Sequence, residues 1–518
     1  MHLLKAVSFA SSAALFLGMF ACAADEKAAT LPQSRHLTPV TDAGANPRPP
    51  FAFAASDDQL LDEVQHAAFM FLWHAAGPQT GMVPDRTSKG EVSIAGVGFQ
   101  LAAIPGAVER GWVTKDQAVE RVRLILKSLT GNPDNRKAGL FFHYLDPVDA
   151  GPSHSGYELV VSTIDNALLF SGIIVAAEYF KADDTIARLG GDLVAGANWA
   201  FFESKGNRYK PSERGFLTLG WKPSAKSAPT GAGDLLPYVW MDAGDEQKLT
   251  TFLGVAAPNP EHRVKPDMYF RMRRTLGEDT AGAPMFWFQW SGALFTSFFA
   301  HCFIDYAGLG LDDPGAAGVS NRAKIDWWVS SLRTVQMHRR KAIENPLKLT
   351  GLGANAWGMN ASDAPTGYKV PGLFPSPLPF SGLRPEFDYV SDIKPPTDDW
   401  GDGTVAPYSM GCSIMFDPAA SLSALRHLRG LRAADGKPLV WRDPAEGSGR
   451  YGFLDAFNLG ANWVASDYVA IDQGPLAVSI ENARTGLVWR LFHASPAVQS
   501  GVDRLGLKQP QPRKRATY

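Results

Sequence analysis

GYELVVSTIDNALLFSGIIVAAEYF, residues 156–180, is an almost wholly apolar run carrying Glu158, Ser162 and Asp165. Its length and composition predict one buried helix. The three polar residues stand at i, i+4 and i+7, which places them on one face. Carboxylates on an apolar helix cost free energy unless they have partners or line a wet cavity. One face of this helix is therefore predicted to open onto a binding cleft. A structural reading stands beside that one. Glu158 near the helix start favours the dipole, Ser162 bonds back to its own helix, and Asp165 pairs with an arginine.

Outward from this helix, further helices are predicted with long loops between them. Ser56-x-x-Gln59 reads as a capping box opening a helix to about His74. A second spans 92–109, with Pro105 as a kink or break. Thr114-x-x-Gln117 opens a third, amphipathic through Val119, Val122, Ile125, Leu126 and Leu129. Others are expected over 184–202, 245–255, 286–306, 322–343, 418–432 and 475–493. Convincing period-two strands are scarce, and the 50 Gly and 37 Pro cluster between helices. The expectation is an all-α domain over 56–507, its helices paired and its loops functional.

At 518 residues with 45% hydrophobic content, the chain suffices for one large domain or two to three smaller ones. A net charge of −2 argues against nucleic acid as a partner and gives no membrane-surface signal. Residues 1–23 read as a secretory signal: Lys5, an apolar run, then Ala21-Cys22-Ala23 before cleavage. The run is short for a membrane span, so an exported, periplasmic or secreted protein is expected. Cys22 leaves lipid anchoring as the lesser alternative, because Met19 and Phe20 make a poor lipobox. Residues 24–55 read as a flexible leader and 508–518 as a disordered basic tail. Cys302 and Cys412 then remain, as one bridge or as two buried thiols, the latter preferred. No Cys/His cluster has zinc spacing, so no metal is expected.

Several loops set acids beside aromatics: 77–86, 142–146 with Asp146, 357–368 with Trp357, Asp363 and Tyr368, 398–408 with Trp400 and Asp402, and 450–475. Carboxylates bind hydroxyl pairs, and flat amphipathic rings suit the apolar faces of sugars. Each loop has a duller reading too. Asp472 before Gly474-Pro475 reads as a helix cap, 401–403 as a tight turn, and Arg86 as a counter-charge for Asp85. His143, His154 and His301 read as packing histidines. No GxSxG elbow, Walker loop or dinucleotide fingerprint appears.

Taken in order, TGMVPDR, SIAGVGFQLAA with VERGW, FFHYLD, the ELVVSTIDNALLFSGIIVAAEYF run, WGMNASDAPTGY, DGTVAPYS, YGFLDAF and IDQGPLAVSIENARTGLVW resemble the bacterial glucoamylase-like family. That glycoside hydrolase group includes the β-1,2-glucanases. The resemblance runs from about 57 to 507. It implies an (α/α)6 barrel, a toroid of paired helices whose long loops form a cleft. It implies hydrolysis of β-linked glucan, β-1,2-glucan or its oligosaccharides first, without a cofactor and by a monomer. Glu158 matches the acid that opens the family's helix, Asp165 its later acid, and Glu246 the glutamate of a further family helix. The family's His-Gln-Tyr-Ser-His is replaced by Ser297-Phe-Phe-Ala-His301, which leaves another bacterial or plant glycan open as substrate.

Glycoside hydrolysis uses an acid and a second carboxylate. Glu158 is expected as the acid, because apolar surroundings raise its pKa, with Glu246 or Asp363 as base and inversion of the anomer. Asp146, Asp165 and Asp402 are expected to hold hydroxyls or tune these groups, and Trp357, Tyr368, Trp400 and His301 to contact sugar. Glu158 and Asp165 would stand about 10 Å apart along a helix, too far for one catalytic pair. A non-catalytic periplasmic glycan-binding protein on the same scaffold is the alternative outside enzymes.

Overall fold

Helices that are apolar on every side must be surrounded, whereas amphipathic ones lie outside them. This distinction orders the whole molecule. The computed structural model describes residues 37–42, 46–153, 159–206, 213–225, 227–279, 281–288, 290–377, 397–511 and 513–517. Its helices of six or more residues are α1 (Ala55–His74), α2 (Ile94–Glu109), α3 (Lys115–Gly131), α4 (Thr163–Tyr179), α5 (Asp184–Gly196) and α6 (Asp245–Ala256). They continue with α7 (Trp327–Glu344), α8 (Pro407–Cys412), α9 (Pro418–Gly430), α10 (Ala470–Arg484), α11 (Leu487–Ala494) and α12 (Pro496–Arg504).

Every residue of α6 and α8 is buried, as are nearly all of α2 and α10. These helices form the inner layer with α4. There α2 packs on α4, α4 on α6, α8 on α10 and α10 back on α2. The turns Leu294–Ser297 and Ala300–Cys302 lie against α6, and the second also meets α10. Amphipathic α3, α5, α7 and α9 bury one face each outside this layer. The closest crossing is between α2 and α4. A Cβ placed on Gly172 would fall 1.9 Å from the Gly98 carbonyl oxygen, and one on Gly98 would fall 2.3 Å from that of Leu168. Only glycine permits this backbone-to-backbone approach. Strands are only two to four residues long, so the molecule is mostly helical.

The deciding helix begins later than its apolar run predicts. Val161–Ser162 is a strand paired with Trp221 and Gly220. Ser162 is the N-cap, its side chain accepting from Asp165 N, and helix starts at Thr163. The β-branched pair Val160-Val161 favours extended backbone, and a capping serine ends it. Ser162 and Asp165 are thus neighbours across a cap and not members of a helical stripe. Glu158 lies outside the described residues, as does the 1–23 signal.

Other expected boundaries also shift. Thr114 and Gln117 form the capping box, but α1 starts after Ala54 with no side-chain cap. The segment 286–306 is not one helix. It holds a strand (Pro284–Phe286), two short turns and a one-turn helix (Tyr306–Leu309). Side chains intercept its backbone: Asp245 accepts from Ala300 N at 2.6 Å, and Asp305 caps Gly308 at 2.9 Å. The stretch 475–493 divides into α10 and α11 at Gly486, whose φ is 66°. Pro475 lies inside α10, and Val469, not Asp472, is its N-cap. At the chain ends, Ala516–Thr517 pairs in parallel with Phe51–Ala52, and Arg513 grips both oxygens of Asp305 at 2.8 Å. Val40 and Phe51 are core residues. The described parts of the leader and tail are therefore packed segments. Cys302 and Cys412 are both free and buried. Among the described residues no helix is long and apolar enough to cross a membrane.

Candidate active site

The N-terminal ends of the inner helices are tied together by the loops between them. His143 donates its backbone N–H to Val160 O at 2.8 Å, and its carbonyl accepts from Ile94 N at 3.1 Å, joining the starts of α2 and α4. Ala470 N, at the start of α10, donates to Asp85 O at 2.8 Å. Acids in the first turns of these helices consequently meet at one end of the inner layer.

Two acidic groups stand there. The first is built on α4 and α6. Asp165 is hydrogen-bonded by the Ser162 hydroxyl and lies 3.4 Å from His143 Nε2. His143 stacks on Tyr144 with centroids 4.1 Å apart. Glu246, in the first turn of α6, is 7% exposed. Burial, then the nearby charges of Asp165 and Asp245, push its carboxyl well above the ordinary glutamate value. Glu246 is therefore neutral at pH values where an exposed glutamate is ionised, and it carries a proton to give.

Behind Glu246 lies a buried polar network. Asp245 meets Lys248 at 3.4 Å and His301 Nε2 at 3.7 Å, and His301 Nε2 is 3.0 Å from Ser331 Oγ. Lys248 sits 3.8 Å from the centroid of Trp327. Burial lowers the His301 pKa well below its usual value, leaving the ring neutral. Its side chain is only 2% exposed. His301, expected at the sugar, is thus placed behind the acid.

The second group joins four loops. Arg86 Nη1 reaches both oxygens of Asp363 at 2.9 and 3.0 Å, its Nε reaches Asp85 at 3.1 Å, and Asp467 lies 3.8 Å away. Burial would lower the Arg86 pKa, but Asp363 and Asp85 more than reverse this. Asp363 N donates to Asp455 Oδ2 at 2.8 Å. Asp455 and Asp472 are both buried and act on each other's charge, so they titrate as a pair. Burial pushes Asp455 up to about 6, and burial followed by the Asp455 charge pushes Asp472 well above the usual range. Among the described residues Asp455 Oδ1 and Asp472 Oδ2 have no hydrogen-bond partner. Tyr368, partly exposed, has its hydroxyl pKa raised by burial, then by Asp472, Asp455, Asp85 and Tyr144.

The remaining expected residues divide clearly. Asp402 is held by Thr404 at 2.6 Å and Lys369 at 3.1 Å, and these bonds outweigh burial to lower its pKa. Asp146 Oδ1 accepts from Val148 N at 2.8 Å, an Asx turn. Trp357 is fully buried and Trp400 is 6% exposed, so both are placed as packing residues. The Asp455–Asp472 pair escaped sequence reasoning as a pair, because Asp472 had a sufficient local explanation as a cap. No group of three or more His, Cys, Asp or Glu suited to a metal occurs among the described residues.

The chain is 25% identical over 487 residues to an exo-β-1,2-glucooligosaccharide sophorohydrolase (non-reducing end) of Parabacteroides distasonis. The match covers 88% of this chain and 58% of that protein, so the chain spans little more than half the relative's length. A crystal structure of a putative glucoamylase from Bacteroides uniformis superposes with a TM-score of 0.69 at 26% identity, over 89% of this chain and 99% of that one. An endo-β-1,2-glucanase from Chitinophaga pinensis, complexed with sophorotriose and glucose, shares the fold with a TM-score of 0.68 at 22% identity, covering 87% and 98%. The putative glucoamylase family profile matches residues 237–496, a span that takes in Glu246, Asp363, Asp455 and Asp472. The chain belongs to the putative glucoamylase family.

Proposed function

We propose that this protein is an exported glycoside hydrolase that cleaves β-1,2-glucan or its oligosaccharides with inversion, on a six-pair (α/α)6 scaffold. The observation that carries the reading is Glu246: a buried, neutral carboxyl beside Asp165, at the end of the inner helices where a second group of carboxylates gathers. The activities of the P. distasonis and C. pinensis relatives supply the substrate. The ring contacts of α2, α4, α6, α8 and α10, with the turns at 294–302 filling the remaining place, support the scaffold. The catalytic domain we assign runs over 56–507, with the packed ends described above.

In this mechanism Glu246 protonates the glycosidic oxygen as the bond to the anomeric carbon breaks. Water attacks that carbon from the opposite face, and a carboxylate takes its proton. Asp363 has both oxygens occupied by Arg86. Asp455, with one oxygen unpartnered among the described residues, is the base we assign. Asp165 and His143 orient the substrate beside the acid. Glu158, the acid expected from the sequence, lies outside the described residues. A panel of polysaccharides assayed for new reducing ends tests the proposal, with product anomer followed by NMR. Release from β-1,2-glucan with inversion is expected. Release only from another glycan would replace the substrate, and affinity without release would make the protein a binding module.

A further inference from the structure

We propose that Trp290 is a sugar-stacking residue that builds a glucosyl subsite beside Glu246; this rests on the glycosidase reading above. Trp290 is 50% exposed, the most exposed large aromatic among the described residues. Its neighbour Phe288 lies 5.9 Å from it between ring centroids. Phe288 in turn packs on Gly244, the N-cap of α6: a Cβ there would sit 3.1 Å from Phe288 Cδ2. Trp290 is thus one aromatic layer from the turn that presents Glu246.

Single exposed apolar residues are ordinary, so position and support must decide. The loop is fixed on both sides of the indole. Trp287 N donates to Thr275 O at 3.0 Å, and Leu373 N donates to Gly292 O at 3.0 Å. A Cβ on Gly292 would meet the Leu373 carbonyl oxygen at 2.5 Å, so two backbones are in close contact there. An indole held open on a braced loop offers a flat apolar face without an ordering cost when a ring binds. Gln247, 3% exposed, leaves Oε1 without a donor among the described residues, and that atom lies 2.1 Å from where a Gly244 Cβ would be. On the α4 side, Trp240 donates Nε1 to Thr163 Oγ1 at 2.9 Å and is partly exposed. One indole thus stands by the start of α4, and Trp290 lies one ring away from the start of α6.

The test uses the full chain carrying Glu246→Gln, which binds without turnover, and calorimetric titration with the oligosaccharides of a glucan panel. Adding Trp290→Ala is expected to weaken binding of the longest bound oligosaccharide about tenfold, equivalent to about 1.4 kcal/mol. Trp290→Phe is expected to recover most of the loss. In the otherwise native chain, Trp290→Ala is expected to raise KM far more than it lowers kcat, with an unchanged melting temperature. Equal affinities with and without Trp290→Ala overturn this inference alone. Failure of the Glu246→Gln chain to bind any glucan of the panel overturns both this inference and the proposed function.

Discussion

Replacing Glu246 by Gln separates its charge chemistry from its shape. The side chain is buried and held neutral by desolvation and by the charges of Asp165 and Asp245. A neutral amide of the same size should therefore fit without strain. What it lacks is a proton to donate. General acid catalysis contributes about 10²–10⁴-fold, which is about 2.7–5.4 kcal/mol of barrier at about 1.36 kcal/mol per decade. A sugar oxygen is a poor leaving group, so kcat on glucan is expected to fall toward the upper end of that range. On an aryl glycoside with an acidic phenol, the leaving group needs no proton, and the variant should approach wild-type rates. Equal losses on both substrates would show that Glu246 is not the acid.

The same substitution has a stability signature. The folded pKa of Glu246 is raised above the ordinary glutamate value of 4.5. The carboxyl's contribution is then fully present below about pH 4.5 and is lost as pH rises through the folded value. Raising a pKa by one pH unit on folding corresponds to about 1.4 kcal/mol. Gln does not titrate, so Glu246→Gln should be more stable than the native chain at alkaline pH, and the two should converge in acid. Urea unfolding at several pH values measures this. Parallel curves would refute the buried neutral carboxyl on which the acid assignment rests.

Arg86→Ala should destabilise the fold by about 3–5 kcal/mol, because it strands Asp363 and Asp85 in a largely buried site; chemical denaturation reads it, and Arg86→Lys should restore only part, lacking the planar fork. Asp455→Asn should flatten the stability–pH curve. With Asp455 pushed up to about 6, the native contribution is present below about pH 4 and lost as pH rises through about 6, a change of up to about 3 kcal/mol shared with Asp472. The same variant should lose nearly all glucan hydrolysis in a reducing-end assay. Gly172→Ala should cost at least about 3 kcal/mol, since its Cβ meets a backbone carbonyl that cannot swing aside. Gly191→Ala, on the open face of α5, should instead stabilise by up to about 1 kcal/mol, and thermal melts compare the two.

The helical interior was legible wherever one periodicity or one apolar run extended over several turns, as in α2, α3 and α4. The boundaries were not, because they depend on partners far away in the chain. Val161–Ser162 reads as helix until Gly220–Pro223 is there to pair with it. The Phe-rich stretch before His301 reads as a buried helix until the Asp245 side chain takes its backbone N–H groups from 55 residues away. In the site, Glu246 and Asp165 could be found because family-like motifs surround each. The contact between Arg86 and Asp363 spans 277 positions, and no local pattern encodes it.

Acids at helix N-termini are the hardest case for sequence reasoning. Asp165, Asp245, Glu246 and Asp472 all occupy first turns, where the helix dipole favours the ionised carboxylate and a structural role is sufficient explanation. For Asp245, Glu246 and Asp472 the result is reversed, and burial raises the pKa above the usual carboxylate value. The dipole contributes about 0.3–1 kcal/mol, whereas burial beside another carboxylate raises a pKa by several pH units. The second effect wins only when the helix start is itself enclosed and a like charge is brought against it. Those two conditions are tertiary, and here the convergence of inner-helix N-termini meets both. A first-turn acid that would ordinarily serve the helix dipole is, at Glu246, the proton donor we propose, and the Glu246→Gln rates on activated and natural substrates test that role directly.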